Sequence, residues 1–519
     1  YPQLLDDKGA FIGFDIIIAN PPYLTEGRIS KTLFEPYKSS PYYKGKMDIW
    51  YMFACNGLDL LNKDGILCFI ATNNWVTSFG ASKLRDKVMK ETRICNLVDF
   101  GAVMMFESAS IQTMIMMFQI DGVTDNYTFD YRKLQAFKAT EKEAISILNR
   151  TSHEAEYYTP TIKRASFEGK SLTFSKCDNI LDKICSKNDN IFLEEDELTN
   201  GIHPHYDFIN KKLSERYGFQ IGEGIFGLSD SEVAALKLTK SELEFIKPYY
   251  NSSDSVIRYV VRATDLSIIY TTSKYKDPNS MNRYPQLKAH LDRFRDVISS
   301  DNKPYGLHRA RVESFFVGEK IVALRKCAGK PVFAYANGNN YMSATFYVIK
   351  TDRVNMKYLT GLLNSHLIEF WLKNKGKMQG ANYQLDKEPL QQIPIAVPSK
   401  RVQNLISDIV DYVVFLKTEQ SPVSELVSNE TISLIFEKII DGCVYELYFE
   451  EHMKSQEINI IDSAVELIKP IFHLSSDVEK ADVVLNVFMN IKKTDNAIRN
   501  RLELFTLRSP DILKLIIEG

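Results

Sequence analysis

The chain has 519 residues, a length suited to about three domains, and its 64 Lys and Arg stand against 66 Asp and Glu, so the overall charge of −2 does not by itself announce a nucleic-acid partner. No run of about 18 or more apolar residues occurs, which excludes a membrane-spanning helix. The seven cysteines lack metal-type pair spacing and sit mostly in apolar company, as expected for reduced thiols in a cytoplasm.

The first element in chain order is a buried-strand run, Phe14-Asp15-Ile16-Ile17-Ile18-Ala19, and it ends in Asn20-Pro21-Pro22-Tyr23. The carboxyl edge of an open α/β sheet is where ligands bind. Asn20 carries a side-chain carbonyl acceptor. The Pro21 carbonyl is a second acceptor, and the two prolines fix φ around it while removing competing backbone donors. Two acceptors aimed at one exocyclic NH₂ localise a lone pair otherwise delocalised into a flat ring, which is what methyl transfer to such an amine requires. Tyr23 offers a face for that ring to stack on, a contact worth roughly 1–3 kcal/mol per base.

Next, Asp48 stands before a helical pattern over residues 49–62, with Gly65 just beyond its end. Residues 65–72 read as a buried strand, 82–92 as a charged helix, and 94–101 and 111–120 as two further strands. Strands alternating with helices argue for a parallel, doubly wound sheet. From 121 to 164 the chain is polar and rich in breakers, with a short helical patch at 140–148, and reads as a connector. Residues 165–400 hold short strands at 256–261, 267–272 and 320–324. Residues 271–400 carry 21 Lys or Arg against 10 Asp or Glu, a local net of +11, the expected footprint of a phosphate-tracking surface. Candidates there are His308, Arg309, Arg311, Arg325 and Lys326, plus Lys373, Lys375 and Lys377, read as a flexible basic loop around Gly376. For any one of these cations the alternative is a solvated surface charge. His203-Pro204-His205 has no Cys or further His at ligand spacing, so no metal site is expected. The glycines at 222, 224 and 227 read as a turn. After residue 400 the pattern is helical, over 402–417, 433–448, 458–468 and 481–491, and residues 421–519 carry 10 basic against 17 acidic side chains. This acidic tail is expected to pack on protein, not on DNA.

The Asn20-Pro21-Pro22-Tyr23 motif resembles that of amino-methyltransferases using S-adenosylmethionine, in particular TaqI-like and type IIG restriction-modification DNA adenine-N6 methyltransferases. The tetrapeptide is shared with RNA and protein-glutamine methyltransferases. The narrower likeness comes from residues 46–53, from 65–75 with its Asn73-Asn74-Trp75 end, and from 307–394, which resembles the TaqI-like specificity domain. The resemblance implies that Asn20, Pro21, Pro22 and Tyr23 act on a flipped adenine. It implies that Phe106, within Val103-Met104-Met105-Phe106-Glu107-Ser108-Ala109-Ser110, is a second aromatic wall, although a core phenylalanine is the plain alternative. Asp48 is then either a cofactor ligand or a helix cap. The family's glycine-rich cofactor loop precedes this motif, and it is not found ahead of Asn20, so the cofactor site is expected to be incomplete and the chain inactive alone.

The expected fold class is α/β. Residues 1–122 form part of a Rossmann-like methyltransferase sheet, 123–164 a connector, 165–400 a mixed α/β specificity domain that binds double-stranded DNA, and 401–519 a helical region. The expected partners are DNA and an upstream portion of the same enzyme, which in type IIG relatives often includes a nuclease. No Glu-x-Lys nuclease arrangement is convincing here. The competing expectations are a DNA-recognition module without catalysis, or a methyltransferase acting on RNA or protein.

Overall fold

The computed structural model describes residues 2–518 except 28–30, 102, 107–110, 122–125, 136–139, 165–171, 173, 175–177, 188, 381 and 420. It divides into two compact units, Tyr1–Leu181 and Asp182–Gly519.

The strands of the first unit are β1 (Phe14–Ala19), β2 (Leu61–Thr72), β3 (Thr92–Asp99), β4 (Thr113–Ile120), β5 (Asn126–Thr128), β6 (Asp130–Leu134), β7 (Ala155–Tyr158) and β8 (Thr161–Lys163). Its helices are α1 (Lys31–Phe34), α2 (Trp50–Asp59), α3 (Ser82–Glu91) and α4 (Glu141–Leu148). Six strands form one sheet in the order β1-β2-β4-β3-β6-β7, and β5 pairs with β8. Alternate residues of β2 and β4, Leu67, Phe69, Met114, Met116 and Phe118, are buried in one core with Ile94 and Leu97 of β3, which lie either side of a register shift, Trp50 and Leu58 of α2 and Leu84 and Val88 of α3. This alternation is the period-2 signature of a strand with one face on a helical layer.

The sheet is mixed, not wholly parallel. β1 runs parallel to β2, and β3 parallel to β6, but β4 is antiparallel to both its neighbours. No helix crosses over between β3 and β4 among the described residues, and a parallel pair needs such a crossover. The expected connector also differs from the structure: β6 and β7 join the main sheet, and Thr140 closes a capping box at the start of α4. Helix α2 ends at Asp59, earlier than its apolar period suggests, because Gly65 lies inside β2 at a register shift against β1. A Cβ on Gly65 would stand 2.8 Å from the Phe14 carbonyl oxygen. β1 is an edge strand, and among the described residues no strand pairs with its other side. Ile16 and Ile18 on its outer face are 61% and 75% exposed.

The second unit contains a six-stranded sheet whose order is Leu198–Asn200, Phe346–Ile349, Glu319–Leu324, Phe333–Asn337, Tyr259–Val261 and Val256–Ile257. A four-stranded sheet joins Gly227–Ser229, Leu266–Ile269, Ile246–Tyr250 and Tyr341–Met342, and a three-stranded ribbon joins Lys326–Ala328, Asn382–Gln384 and Lys377–Gln379. Helices Met356–Leu363 and His366–Lys375 pack against the C-terminal helices Lys400–Thr418 and Asn429–Ser455. Gly361 permits one crossing, since a Cβ there would stand 2.8 Å from Ile406 Cγ2. The acidic helical region therefore packs on protein within its own unit. The glycine cluster is a turn, with Gly222 at φ +86° and the Gly224 amide donating to Glu232. Cys55, Cys327 and Cys443 are buried free thiols, and Cys177 lies outside the described residues. No described helix is long and apolar enough to cross a membrane.

Candidate active site

β1 delivers Asn20 just past its last residue, where Ala19 is paired with Phe69 of β2. Asn20 is exposed, Pro21 is buried and Tyr23 is half-buried. The Tyr23 hydroxyl lies 2.8 Å from the Ile70 carbonyl oxygen and also contacts the Asn20 amide oxygen. A phenol has one proton, so it donates to one of these acceptors at a time. Burial and the Asp48 carboxylate both push its pKa up, which keeps the proton in place. No described donor reaches the Pro21 carbonyl.

A short strap holds this corner down. The Leu24 amide donates to Asp48 Oδ1 at 3.0 Å, the Ile49 amide to the Leu24 carbonyl at 3.0 Å, and the Glu26 amide to the Met47 carbonyl at 2.8 Å. Asp48 is 5% exposed; burial raises its pKa, and the Leu24 and Trp50 amides pull it back. Its oxygen is 3.5 Å from the Trp50 amide, a weak helix cap, while the Leu24 bond is the tighter one. The carboxylate thus braces the strap after Tyr23. It is turned toward the Leu24 and Trp50 amides and the Thr25 hydroxyl.

Phe106 is brought to Tyr23 from the far side, with ring centroids 6.1 Å apart and planes at 49°. Residues 107–110 of the same segment lie outside the described residues. The segment starts from an anchor at the end of β3 that the sequence reading missed. Asp99 is buried there and accepts from Asn73 Nδ2 at 3.0 Å, the Gly101 amide at 2.9 Å and the Tyr131 hydroxyl at 3.2 Å. The signal was present as an acid closing the apolar run Leu97-Val98, with Phe100-Gly101 after it. A second polar knot closes β2, where the Trp50 indole donates to Thr72 Oγ1 at 2.9 Å and that hydroxyl donates to Asn74 Oδ1 at 2.9 Å.

The basic candidates of the second unit separate into several groups. Arg309 is exposed, 3.7 Å from Asp301, and His308 lies 3.7 Å from the same carboxylate. Arg311 turns its Nε to the Gly201 carbonyl at 3.2 Å. Arg325 donates to the Ala344 carbonyl at 3.1 Å, faces Asp386 at 3.8 Å and lies over the Tyr347 ring, so its guanidinium braces the fold. Lys326 and Lys377 are both paired with Gln384 across the ribbon, a Lys-Gln-Lys row on neighbouring strands. Lys377 also bonds Asp386 at 3.2 Å. Lys373 and Lys375 lie in the helix His366–Lys375 and Lys377 in a strand, so the expected basic loop is regular structure. Much of the local positive excess is spent inside the unit: Lys357 pairs with Asp411, Arg353 with Glu197, and Lys387 with Glu195.

Residues 3–106 match the Eco57I restriction-modification methylase family, and residues 247–395 match the TaqI-like C-terminal specificity domain. Over 506 residues the chain is 22% identical to a putative type II restriction enzyme and methyltransferase, RM.MjaORFECS2P of Methanocaldococcus jannaschii, covering 94% of this chain and 36% of that protein. It is 20% identical to the type II methyltransferase M.HindII of Haemophilus influenzae, covering 73% of this chain and 74% of the relative. In fold it is similar to the type IIL restriction-modification enzyme MmeI, solved with DNA, at a TM-score of 0.54 and 12% identity, over 91% of this chain and 57% of that one. The chain thus spans little more than a third of the first of these relatives. The first match covers Asn20 to Phe106 and the second most of the basic segment, so a stretch similar to restriction-modification methylases and a stretch similar to TaqI-like specificity domains stand in one chain.

Proposed function

We propose that this chain forms the base-gripping edge and the DNA-specificity part of a site-specific adenine-N6 DNA methyltransferase of a restriction-modification system, for which S-adenosylmethionine is the methyl donor. The observation that carries the reading is the convergence of Asn20, Tyr23 and Phe106 just past the carboxyl end of β1. In this reading the Asn20 and Pro21 oxygens accept the two N–H bonds of the exocyclic amine and draw its lone pair onto nitrogen. Tyr23 releases Asn20 without orphaning its own proton, because the Ile70 carbonyl is already 2.8 Å away. The two rings, 6.1 Å apart, open by about 1 Å to admit a base between them, since each carbon-to-carbon contact needs roughly 3.5 Å. Flipping the base out costs a few kcal/mol, which stacking offsets.

The relatives' names and the family matches support modification of DNA, and the Asn form of the motif supports adenine. Phosphate contacts from Arg309, Lys326 and Lys377 then set the register of the specificity domain, while base-edge contacts choose the sequence. The upstream part of the same enzyme supplies the cofactor site and, in type IIG relatives, a nuclease. A second reading, a recognition module that binds DNA without chemistry, is favoured by the commitment of Asp48 to backbone amides.

The test is transfer of a labelled methyl group from S-adenosylmethionine to mixed-sequence duplex DNA by the chain and by Asn20→Ala, in its own right and joined to an upstream cofactor segment. Label on adenine that falls on the order of a hundredfold in Asn20→Ala, the scale for losing one group that polarises a reacting centre, bears out the proposal. DNA retention with no label in the joined protein selects the recognition module. Label displaced by RNA or protein competitors but not by DNA selects the other substrates.

A further inference from the structure

His203-Pro204-His205 carries no signal in sequence, yet the fold brings a third imidazole to it. The centroids of His203, His205 and His308 lie 5.6 to 6.5 Å apart. Two chain segments are locked together here, since the His203 amide donates to the Arg309 carbonyl at 3.0 Å and the Arg309 amide to the His203 carbonyl at 2.9 Å. The backbone is strained on both sides, with His205 at φ +87° and Arg311 at φ +67°, and strain held in non-glycine residues clusters at functional sites. His203 Nδ1 accepts from the His205 amide at 3.2 Å, and the ring is exposed. His205 Nδ1 lies 3.3 Å from Ser299 Oγ, and Tyr206 meets its ring edge-on at 4.5 Å. His308 Nδ1 is buried with no hydrogen-bond partner.

The charged groups facing the cluster are Arg309, Arg311, Asp301 and Asp207. Two fixed cations meet two carboxylates, so the three imidazoles decide its sign. Burial first, then Arg309, holds the His308 pKa below the usual histidine range. An arriving anion therefore brings protons with it. Among the described residues no group of three or more His, Cys, Asp or Glu is arranged to hold a metal ion. We propose that His203, His205 and His308, with Arg309, form a proton-linked site for a phosphodiester oxygen of duplex DNA. This rests on the reading of the second unit as a DNA-specificity domain.

The test is the anisotropy of a labelled duplex with the full chain at fixed ionic strength, from about pH 8.5 down to about pH 5.5, the span in which histidine titrates. Wild type is expected to gain roughly tenfold in affinity per pH unit below about pH 6.5, the slope for one linked proton. The triple variant His203→Gln, His205→Gln, His308→Gln is expected to show a flat profile. His203→Gln alone, which replaces an exposed ring, is expected to show a reduced slope with an unchanged far-UV circular dichroism spectrum. A wild-type slope retained in the triple variant overturns the site while leaving the DNA reading standing. No wild-type binding at any pH overturns both. A slope abolished by a chelator assigns the cluster to a metal, and an equal imidazole NMR response to inorganic phosphate alone assigns it to free phosphate. Either result overturns the proposal.

Discussion

Tyr23 divides its role between its ring and its hydroxyl. The ring faces Phe106, and the hydroxyl bridges Asn20 and the Ile70 carbonyl. Tyr23→Phe keeps the face and removes only the bridge, so it is expected to leave kcat/KM within about tenfold. Tyr23→Ala removes the face and is expected to cost roughly 1–3 kcal/mol of base binding. Steady-state methyl transfer by the protein joined to an upstream cofactor segment checks the first, and a 2-aminopurine at the target position, whose emission reports extrusion from the duplex, checks the second. The place of Asn20 through Tyr23 at a strand end was legible in sequence because the four residues follow directly on one apolar run. Asp48 was legible only as an acid before a helix. Its main partner, the Leu24 amide, is 24 positions away, and no local pattern reports that distance.

At the scale of elements, helix and strand types followed the apolar period, whereas strand direction did not. β4 and a parallel strand have the same residue pattern, and they are distinguished by the link between β3 and β4, in which no crossover helix occurs among the described residues. That turn depends on Gly101, at φ +59°, where a Cβ would stand 2.3 Å from the Leu134 carbonyl oxygen. Gly101→Ala is expected to lose more than the roughly 1–3 kcal/mol of the strained φ alone, read as a lower denaturant midpoint, and to shift the segment bearing Phe106. In the second unit, His366 Nδ1 bonds Asp441 at 2.9 Å, and this bond raises the His366 pKa. A raised histidine pKa contributes stability that is full below the unfolded value of about 6.5 and is lost as pH rises through the folded value. Asp441→Asn is therefore expected to destabilise the chain more at low than at high pH in denaturant titrations on either side of that window.

For the molecule as a whole, charge counted along the sequence overstated the basic surface. The +11 of residues 271–400 is cut by carboxylates that lie outside that segment, such as Glu197 and Asp411, which composition cannot assign to their cations. The helical character of the acidic tail was legible from its apolar period, whereas the sequence reading set boundaries at 122, 164 and 400 and the compact units divide between Leu181 and Asp182. The place of residues 126–163 in the first unit's sheets was not, because short polar strands look like loops until their neighbours are known. The open side of β1 has a consequence for the protein in solution. Among the described residues no strand pairs with its outer N–H and C=O groups, which lie beside exposed Ile16 and Ile18, the combination that lets one chain template strand pairing on another. This chain produced alone is thus expected to self-associate in a concentration-dependent way, visible as a rising weight-average mass in sedimentation. A lysine placed by Ile18→Lys, the device natural edge strands use against such pairing, is expected to return it to monomer without altering DNA affinity.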